Sequence, residues 1–276
     1  MIAVSNTGAL KDIAGTIVLA GAGKMGGAML TGWLAGGLDA RRVVVLEPHP
    51  SDEIRALAAK GVRLNPREAT SAETLVLAVK PQTFPEAGPM LKPLVGPSTL
   101  VVSIMAGTTV TAIEKTCGGM VVRAMPNTPA AIGRGITVAV PAGNVSAAQR
   151  ATADALLRAI GAVEWVTDEK LMDAVTAVSG SGPAYVFLLA EELARAGVEA
   201  GLPAELAEKL ARETVAGSGE LLHRSDLPAA TLRQNVTSPG GTTQAALEVL
   251  MAGDGLKPLM IRAVAAATKR SIELAK

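Results

Sequence analysis

Short, mostly aliphatic runs alternate with amphipathic stretches along the first part of the chain. Runs at Thr16 to Leu19, Val43 to Leu46, Thr74 to Val79, Leu100 to Ile104, Val121 to Ala124 and Thr137 to Val140 read as strands, and Met25 to Gly36 and Ser51 to Lys60 read as helices between them. Strand and helix taking turns is the pattern of a parallel sheet covered on both faces. The strands stop near Glu164 to Thr167.

Beyond Asp168 the pattern becomes wholly helical. One helix begins with Ser181 as N-cap and Pro183 in its first turn, and Gly201 stands where it ends. Others follow at Pro203 to about His223, Ala229 to Gln234, Thr243 to Ala252 and Leu256 to Lys276. These helices carry more Ala, Leu, Val and Met than a small isolated bundle hides, which points to pairing with a second chain. Packing on the first domain alone is the alternative. The fold class is α/β: an N-terminal Rossmann-like parallel-sheet domain over residues 1–167, then an all-α C-terminal domain over residues 168–276. A chain of 276 residues is long for one core, in agreement with two domains.

The first fourteen residues carry Lys11 and Asp12 and lack the apolar core of a signal peptide, so they read as a short, poorly ordered extension. Apolar stretches such as Pro183 to Ala190 fall far short of the roughly 18 residues of a spanning helix, so no membrane partner is expected. Aromatic residues make up 2% of the chain and the net charge is +1, which removes both the stacking platform and the electrostatic footprint of a nucleic-acid binder. The single Cys117 has no disulfide partner and no ligand-spaced neighbours; an inert thiol in a reducing cytoplasm is the plain reading.

Chemistry enters with the loop Gly21-Ala22-Gly23-Lys24-Met25-Gly26, which follows an apolar strand and opens a helix. At this spacing the first glycine permits the tight turn, the second lets the backbone approach a pyrophosphate, and the third lets helix pack on strand. Glu47 follows the second strand, where a carboxylate accepts hydrogen bonds from the adenosine ribose and repels a 2′-phosphate. That favours NADH, although His49 and Ser51 in the same turn are placed to meet a phosphate, and Glu47 as a solvated strand-end charge is the alternative. Asn127 sits between two prolines that stiffen its loop, so that its amide is a fixed donor for a nicotinamide. Far along the chain, Asn235-Val236-Thr237-Ser238-Pro239-Gly240-Gly241-Thr242-Thr243 places glycines and hydroxyls where a helix begins, a composition that turns successive N–H groups toward one carboxylate. Helix capping is the competing role for Ser238 and Thr243.

Together with Met125-Pro126-Asn127-Thr128-Pro129 and Ser179-Gly180-Ser181-Gly182-Pro183-Ala184-Tyr185, these two loops resemble the pyrroline-5-carboxylate reductases, in that family's order and from about residue 16 to the end. The resemblance implies NADPH, NADH or both as cofactor, bound by the glycine loop, the turn after Glu47, the segment Ala78-Val79-Lys80-Pro81, Ala106, Asn127 and Asn235. Lys80 matches the family lysine, with an ordinary exposed lysine as the alternative. The same resemblance implies a carboxylate site at Gly240, Gly241, Thr242 and Thr243 helped by Ser238, with Thr243 at the ring nitrogen, Glu169 near the substrate, and Ser179 to Gly182 shaping the pocket. It also implies a homo-oligomer: interleaved dimers that assemble further, to a decamer. Glu68 departs from the family, where an asparagine contacting the cofactor is expected.

What the chain lacks narrows the reaction. Its histidines are His49 and His223, and its one tyrosine, Tyr185, is followed four residues later by Leu189 rather than lysine, so the short-chain dehydrogenase mechanism is excluded. Neither histidine lies in a motif for a hydroxyacid dehydrogenase, and the catalytic lysine of 3-hydroxyacid dehydrogenases has no counterpart between Ser179 and Tyr185. Carbonyl reduction makes an alkoxide that needs a proton. A protonated cyclic imine becomes a neutral amine and needs orientation more than a strong acid. Imine reduction therefore suits this chain, and the resemblance names 1-pyrroline-5-carboxylate as the imine and L-proline as the product. The rivals are a reductase of another cyclic imine or of a 3-hydroxyacid, and a dinucleotide-binding regulator that has lost turnover.

Overall fold

A computed structural model describes residues 10–68 and 71–274. These residues fall into two compact units. The described residues up to Gly180, with those from Thr268 onward, form one; Ser181–Ala267 forms the other.

The first unit is built on an eight-stranded sheet in the order β3-β2-β1-β4-β5-β6-β7-β8. Its elements follow the chain as β1 (Ile17–Ala20), α1 (Lys24–Ala35), β2 (Val43–Leu46), α2 (Asp52–Ala56), β3 (Arg63–Leu64), β4 (Ala72–Leu77), α3 (Phe84–Leu91), β5 (Val95–Ser103), α4 (Val110–Cys117), β6 (Met120–Met125), β7 (Gly135–Pro141), α5 (Ala147–Arg158), β8 (Gly161–Trp165) and α6 (Met172–Val175). The strands from β3 to β6 are parallel, as their two-sided apolar character requires. The parallel pairing is interrupted at one place: β7 runs antiparallel to β6, and β8 then pairs parallel with β7. Only the loop Pro126 to Arg134 joins β6 to β7, too short for the dozen or more residues that a parallel crossover needs. Strand β3, with two residues, left no periodic signal, and α3, with Pro85 and Pro89 in eight residues, reads poorly as a helix.

Each sheet face has its own core. Ile17, Leu19, Val43 and Val45 point to the side of α1 and α5, where Met29, Leu30, Trp33, Leu156 and Leu157 complete one cluster. Val18, Val44, Leu75 and Leu77 point to the side of α3 and α4, with Phe84, Leu91 and Ile113. Trp33 Nε1 donates to the Leu156 carbonyl at 2.9 Å, so the one polar atom of the largest buried ring is satisfied. The extension reads differently in three dimensions. Residues 1–9 lie outside the described residues, but Leu10 and Ile13 are buried in the first core, and Arg42 donates to the Ile13 carbonyl at 2.6 Å.

A π-helical turn over Thr176–Gly180 closes this unit. The second unit comprises α7 (Gly182–Glu199), α8 (Ala204–Arg224), α9 (Ala229–Asn235), α10 (Thr242–Leu250) and the greater part of α11 (Leu256–Leu274). Helices α7 and α8 pack on one another, with Ala207 and Ala211 buried. Ser181 stands at the start of α7 as expected, but its backbone is already helical and its side chain caps nothing. Gly201, with φ of +99°, follows α7 in the left-handed region that suits a helix terminus. From Thr268 the last turns of α11 belong to the sheet unit, where Ser271 donates to Asp173 at 2.7 Å. No helix among the described residues is long and apolar enough to cross a membrane.

Candidate active site

The glycine loop leaves β1 at the carboxyl edge of the sheet, where ligands of open α/β folds collect. Gly21 has φ of +92°, and a Cβ there would meet the Ala78 carbonyl at 2.7 Å. A Cβ on Gly26 would collide with the Gly21 carbonyl, so both positions demand glycine, Gly21 for its backbone angle and the close approach of Ala78, and Gly26 for a contact inside the turn. Gly23 is different: a Cβ there would meet nothing within 4 Å, and the residue faces a cavity of about 810 Å³. Gly23 is also the N-cap of α1 and offers no side chain to its first turn, which leaves those N–H groups to an anion. An open backbone approach, an uncapped helix and an adjoining cavity of this size fit the pyrophosphate and ribose of a dinucleotide.

That cavity gathers Ala22, Gly23, Lys24, Glu47, His49 and Lys80, all expected from the sequence, and adds Thr31, Glu53 and Ala131. Glu47 is not a solvated strand-end charge. Its Oε2 accepts from Ala22 N at 2.8 Å and its Oε1 from His49 N at 3.0 Å, so the carboxylate sits on the glycine loop. Ser51 lines the cavity but serves as N-cap of α2, accepting from Ile54 N at 3.3 Å. Gly21, Met25, Gly26, Ala78, Val79, Pro81, Ala106 and Asn127 are not among the cavity-lining residues. Ala78 packs against the glycine loop and Pro81 opens a short 3₁₀ turn after Lys80. Asn127 Oδ1 accepts from Ile136 N at 2.9 Å; with its oxygen so held, its NH₂ is the fixed donor end. Glu68, which departs from the family pattern, lines a separate depression of about 390 Å³ with Val44, Leu46 and Met90.

Glu169 is turned toward its own unit. Its Oε1 accepts from Arg123 Nη1 at 2.7 Å and from Val110 N, at the start of α4, at 2.9 Å. Arg123 is only 6% exposed, so the pair neutralises a cation buried within β6 and ties β6 to the helix that follows the Ala106 loop. The signal for it was present: an arginine inside the aliphatic run Val121-Val122-Arg123-Ala124 needs a carboxylate. Ser179, in the π-helical turn, donates to the Val175 carbonyl at 3.0 Å.

In the helical unit the second loop runs from Asn235, exposed at the end of α9, to Gly241, the N-cap of α10. Gly240 takes φ of +69°, and Gly241 is extended with no side-chain cap. Neither Ser238 nor Thr243 caps the helix. The N–H of Gly241, one of the groups expected to hold a carboxylate, donates instead to the Ser238 carbonyl at 3.0 Å and closes the turn. Thr242 and Thr243 remain as first-turn donors of α10, whose N–H groups lack carbonyls within the helix. Gly240 N donates to Gln244 Oε1 at 2.8 Å, a link across the turn that the sequence did not announce. Gly182 opens α7 with open space where a side chain would stand.

Comparisons with known proteins accord with both halves. A family described as pyrroline-5-carboxylate reductase dimerisation matches residues 169–274, and one described as NADP oxidoreductase, coenzyme F420-dependent, matches residues 16–107. The pyrroline-5-carboxylate reductase of Pseudomonas aeruginosa is 39% identical over 265 residues, covering 94% of this chain and 97% of that protein. Among solved structures, the Coxiella burnetii enzyme of the same name superposes with a TM-score of 0.88 at 36% identity, over 96% of this chain and all of the other. The Plasmodium falciparum pyrroline carboxylate reductase, solved with NADP bound, gives 0.78 at 30% identity, over 97% of this chain and all of that one. With its glycine loop and its α10 loop both in place, and with relatives at this identity along nearly its whole length, the chain belongs to the pyrroline-5-carboxylate reductase family.

Proposed function

We propose that this chain reduces 1-pyrroline-5-carboxylate to L-proline, the closing step of proline biosynthesis, with NADH or NADPH as reductant. The observation that carries the reading is a pair of helix starts built for anions. Both α1 and α10 begin at an extended glycine with no side-chain cap, Gly23 and Gly241. By contrast α2, α4 and α5 are each capped by their own Ser51, Thr109 and Ser146, and the uncapped starts of α3, α6, α7, α8 and α9 lie at Thr83, Leu171, Ser181, Pro203 and Pro228 rather than at a glycine. The first uncapped start suits a pyrophosphate and the second a carboxylate.

The dinucleotide, when bound, supplies the hydride that reaches C5 of the ring. Gly23 and the first turn of α1 bind its pyrophosphate, Glu47 meets the adenosine ribose, and Asn127 NH₂ donates at the nicotinamide. Thr242 and Thr243 N–H hold the substrate carboxylate, helped by the Ser238 hydroxyl and the turn at Gly240 and Gly241. The Thr243 hydroxyl bonds the ring nitrogen and fixes which face of the imine is presented. Asn235 serves the cofactor side, and Ser179 and Gly182 border the pocket. Glu169 acts through Arg123 and α4, holding the Ala106 loop in place.

The same proposal covers assembly and setting. Dimers built through the helical unit associate into a decamer, and the compartment is the cytoplasm, a choice supported by the buried, unpaired Cys117. Nucleic acid and membrane are not partners, in keeping with a net charge of +1. The deciding experiment follows oxidation of NADH and of NADPH separately with pyrroline-5-carboxylate and quantifies proline. No proline with either reductant, from protein that binds one of them, would overturn the reading.

A further inference from the structure

Glu47 lies one residue beyond the end of β2, outside the strand ladder, yet its backbone is held on both sides by one residue that no motif contains. Asn65 Oδ1 accepts from Glu47 N at 2.9 Å, Asn65 Nδ2 donates to the Glu47 carbonyl at 2.8 Å, and Asn65 N donates to the Val45 carbonyl at 2.8 Å. The side-chain amide thereby imitates one more pair of the two-residue strand β3.

The geometry has a cost. Among the described residues Asn65 is the only non-glycine with positive φ, +44°, and it precedes Pro66, whose ring restricts the backbone before it. Asparagine tolerates the left-handed region better than most residues, and such outliers persist where surrounding bonds over-determine them. What these bonds determine is the root of the Glu47 side chain, whose carboxylate lies on Ala22 N and His49 N at the rim of the cavity.

Resting on the reading of that cavity as the dinucleotide site, we propose that Asn65 is the positioning residue for cofactor discrimination: it holds Glu47 over the glycine loop, where the carboxylate accepts from a ribose diol and repels a 2′-phosphate. Without the clamp the turn relaxes, Glu47 swings toward solvent, and the penalty on NADPH falls.

Calorimetric titration of NADH and NADPH into the wild type, Asn65→Ala, Asn65→Gly, Glu47→Gln and the double variant Asn65→Gly/Glu47→Gln tests this. Both Asn65 variants are expected to shift the ratio of affinities toward NADPH by about threefold to tenfold, the worth of one backbone hydrogen bond. Glu47→Gln should shift it by about fivefold or more, and the double variant no further, because both changes act through one carboxylate. An Asn65 variant that weakens both nucleotides equally, or leaves their ratio unchanged, overturns the proposal, as does a double variant whose shift is the product of the single ones. Should Asn65→Ala fail to fold, Asn65→Gly carries the same test, since glycine takes the backbone angle without strain. A wild type that binds neither nucleotide overturns the cofactor reading itself and this proposal with it, an outcome distinct from an unchanged ratio in protein that binds.

Discussion

In the sheet unit Leu19, Leu75 and Leu77 are fully buried, whereas on α7 of the helical unit Phe187 and Leu189 leave 67% and 57% of their surface in water. Both segments are runs of consecutive aliphatic or aromatic residues. A strand between two helical layers covers such a run from both sides at once. A helix spreads four consecutive residues, Val186 to Leu189, around its whole circumference, and one neighbour such as α8 covers only part of that arc. The difference teaches that the sheet unit completes its core within one chain and the helical unit completes its core in an oligomer, in keeping with the dimerisation family that matches it.

The comparison can be broken most forcefully in the sheet. Leu75→Ala should lower stability by about 2–5 kcal/mol through the cavity it leaves, and denaturant titrations should give the same loss at every protein concentration. Phe187→Glu sets a charge on the exposed face of α7. It is expected to weaken self-association by about thirtyfold or more, with turnover per chain falling on dilution and light scattering reporting the smaller species. A monomer of full activity would collapse the distinction between the units. Comparable in size is the effect of Thr243→Ala: about a 10- to 150-fold fall in kcat/KM from loss of a hydrogen bond to a charged ring nitrogen. Because Gly241 and not Thr243 is the N-cap of α10, thermal stability should barely move. A destabilised variant with unchanged kinetics would take Thr243 out of the mechanism.

The smallest effect belongs to Cys117, buried on the α3 and α4 side of the sheet, where burial pushes its thiol up to about 11. At pH 8 a native thiol of that pKa is ionised in roughly one molecule in a thousand, so thiol reagents should fail until urea unfolds the chain. The unfolded thiol ionises at a lower pH than the folded one, so this burial supports the fold below that lower value and ceases to do so as pH rises toward 11. Rapid native labelling would show that this core opens more readily than its burial implies.

Much of the candidate site was legible because local rules enforce it. Gly21 is required by its own backbone angle, Gly26 by the Gly21 carbonyl within the same turn, and Gly240 by its own backbone angle, so their spacing survives in the sequence as a motif. The residues that were not legible act across distance. Asn65 reaches Glu47 from the bend after β3, 18 positions away, and Arg123 finds Glu169 from 46 positions away. The antiparallel turn of β7 follows from a loop too short to cross the sheet, a comparison between elements rather than a property of either.

The residues in order along the chain established the alternation of strand and helix, though not β3 or α3, together with the glycine turns and the family, since periodicity, backbone freedom and motif spacing are properties of neighbouring residues. Tertiary structure decided what each charged and polar side chain does. The Glu47 carboxylate became part of the glycine loop, Glu169 became the partner of a buried arginine, and the hydroxyls near α10 were left uninvolved in capping. A hydrogen bond needs two groups within about 3 Å, and only the folded chain says which groups, distant in sequence, come that close.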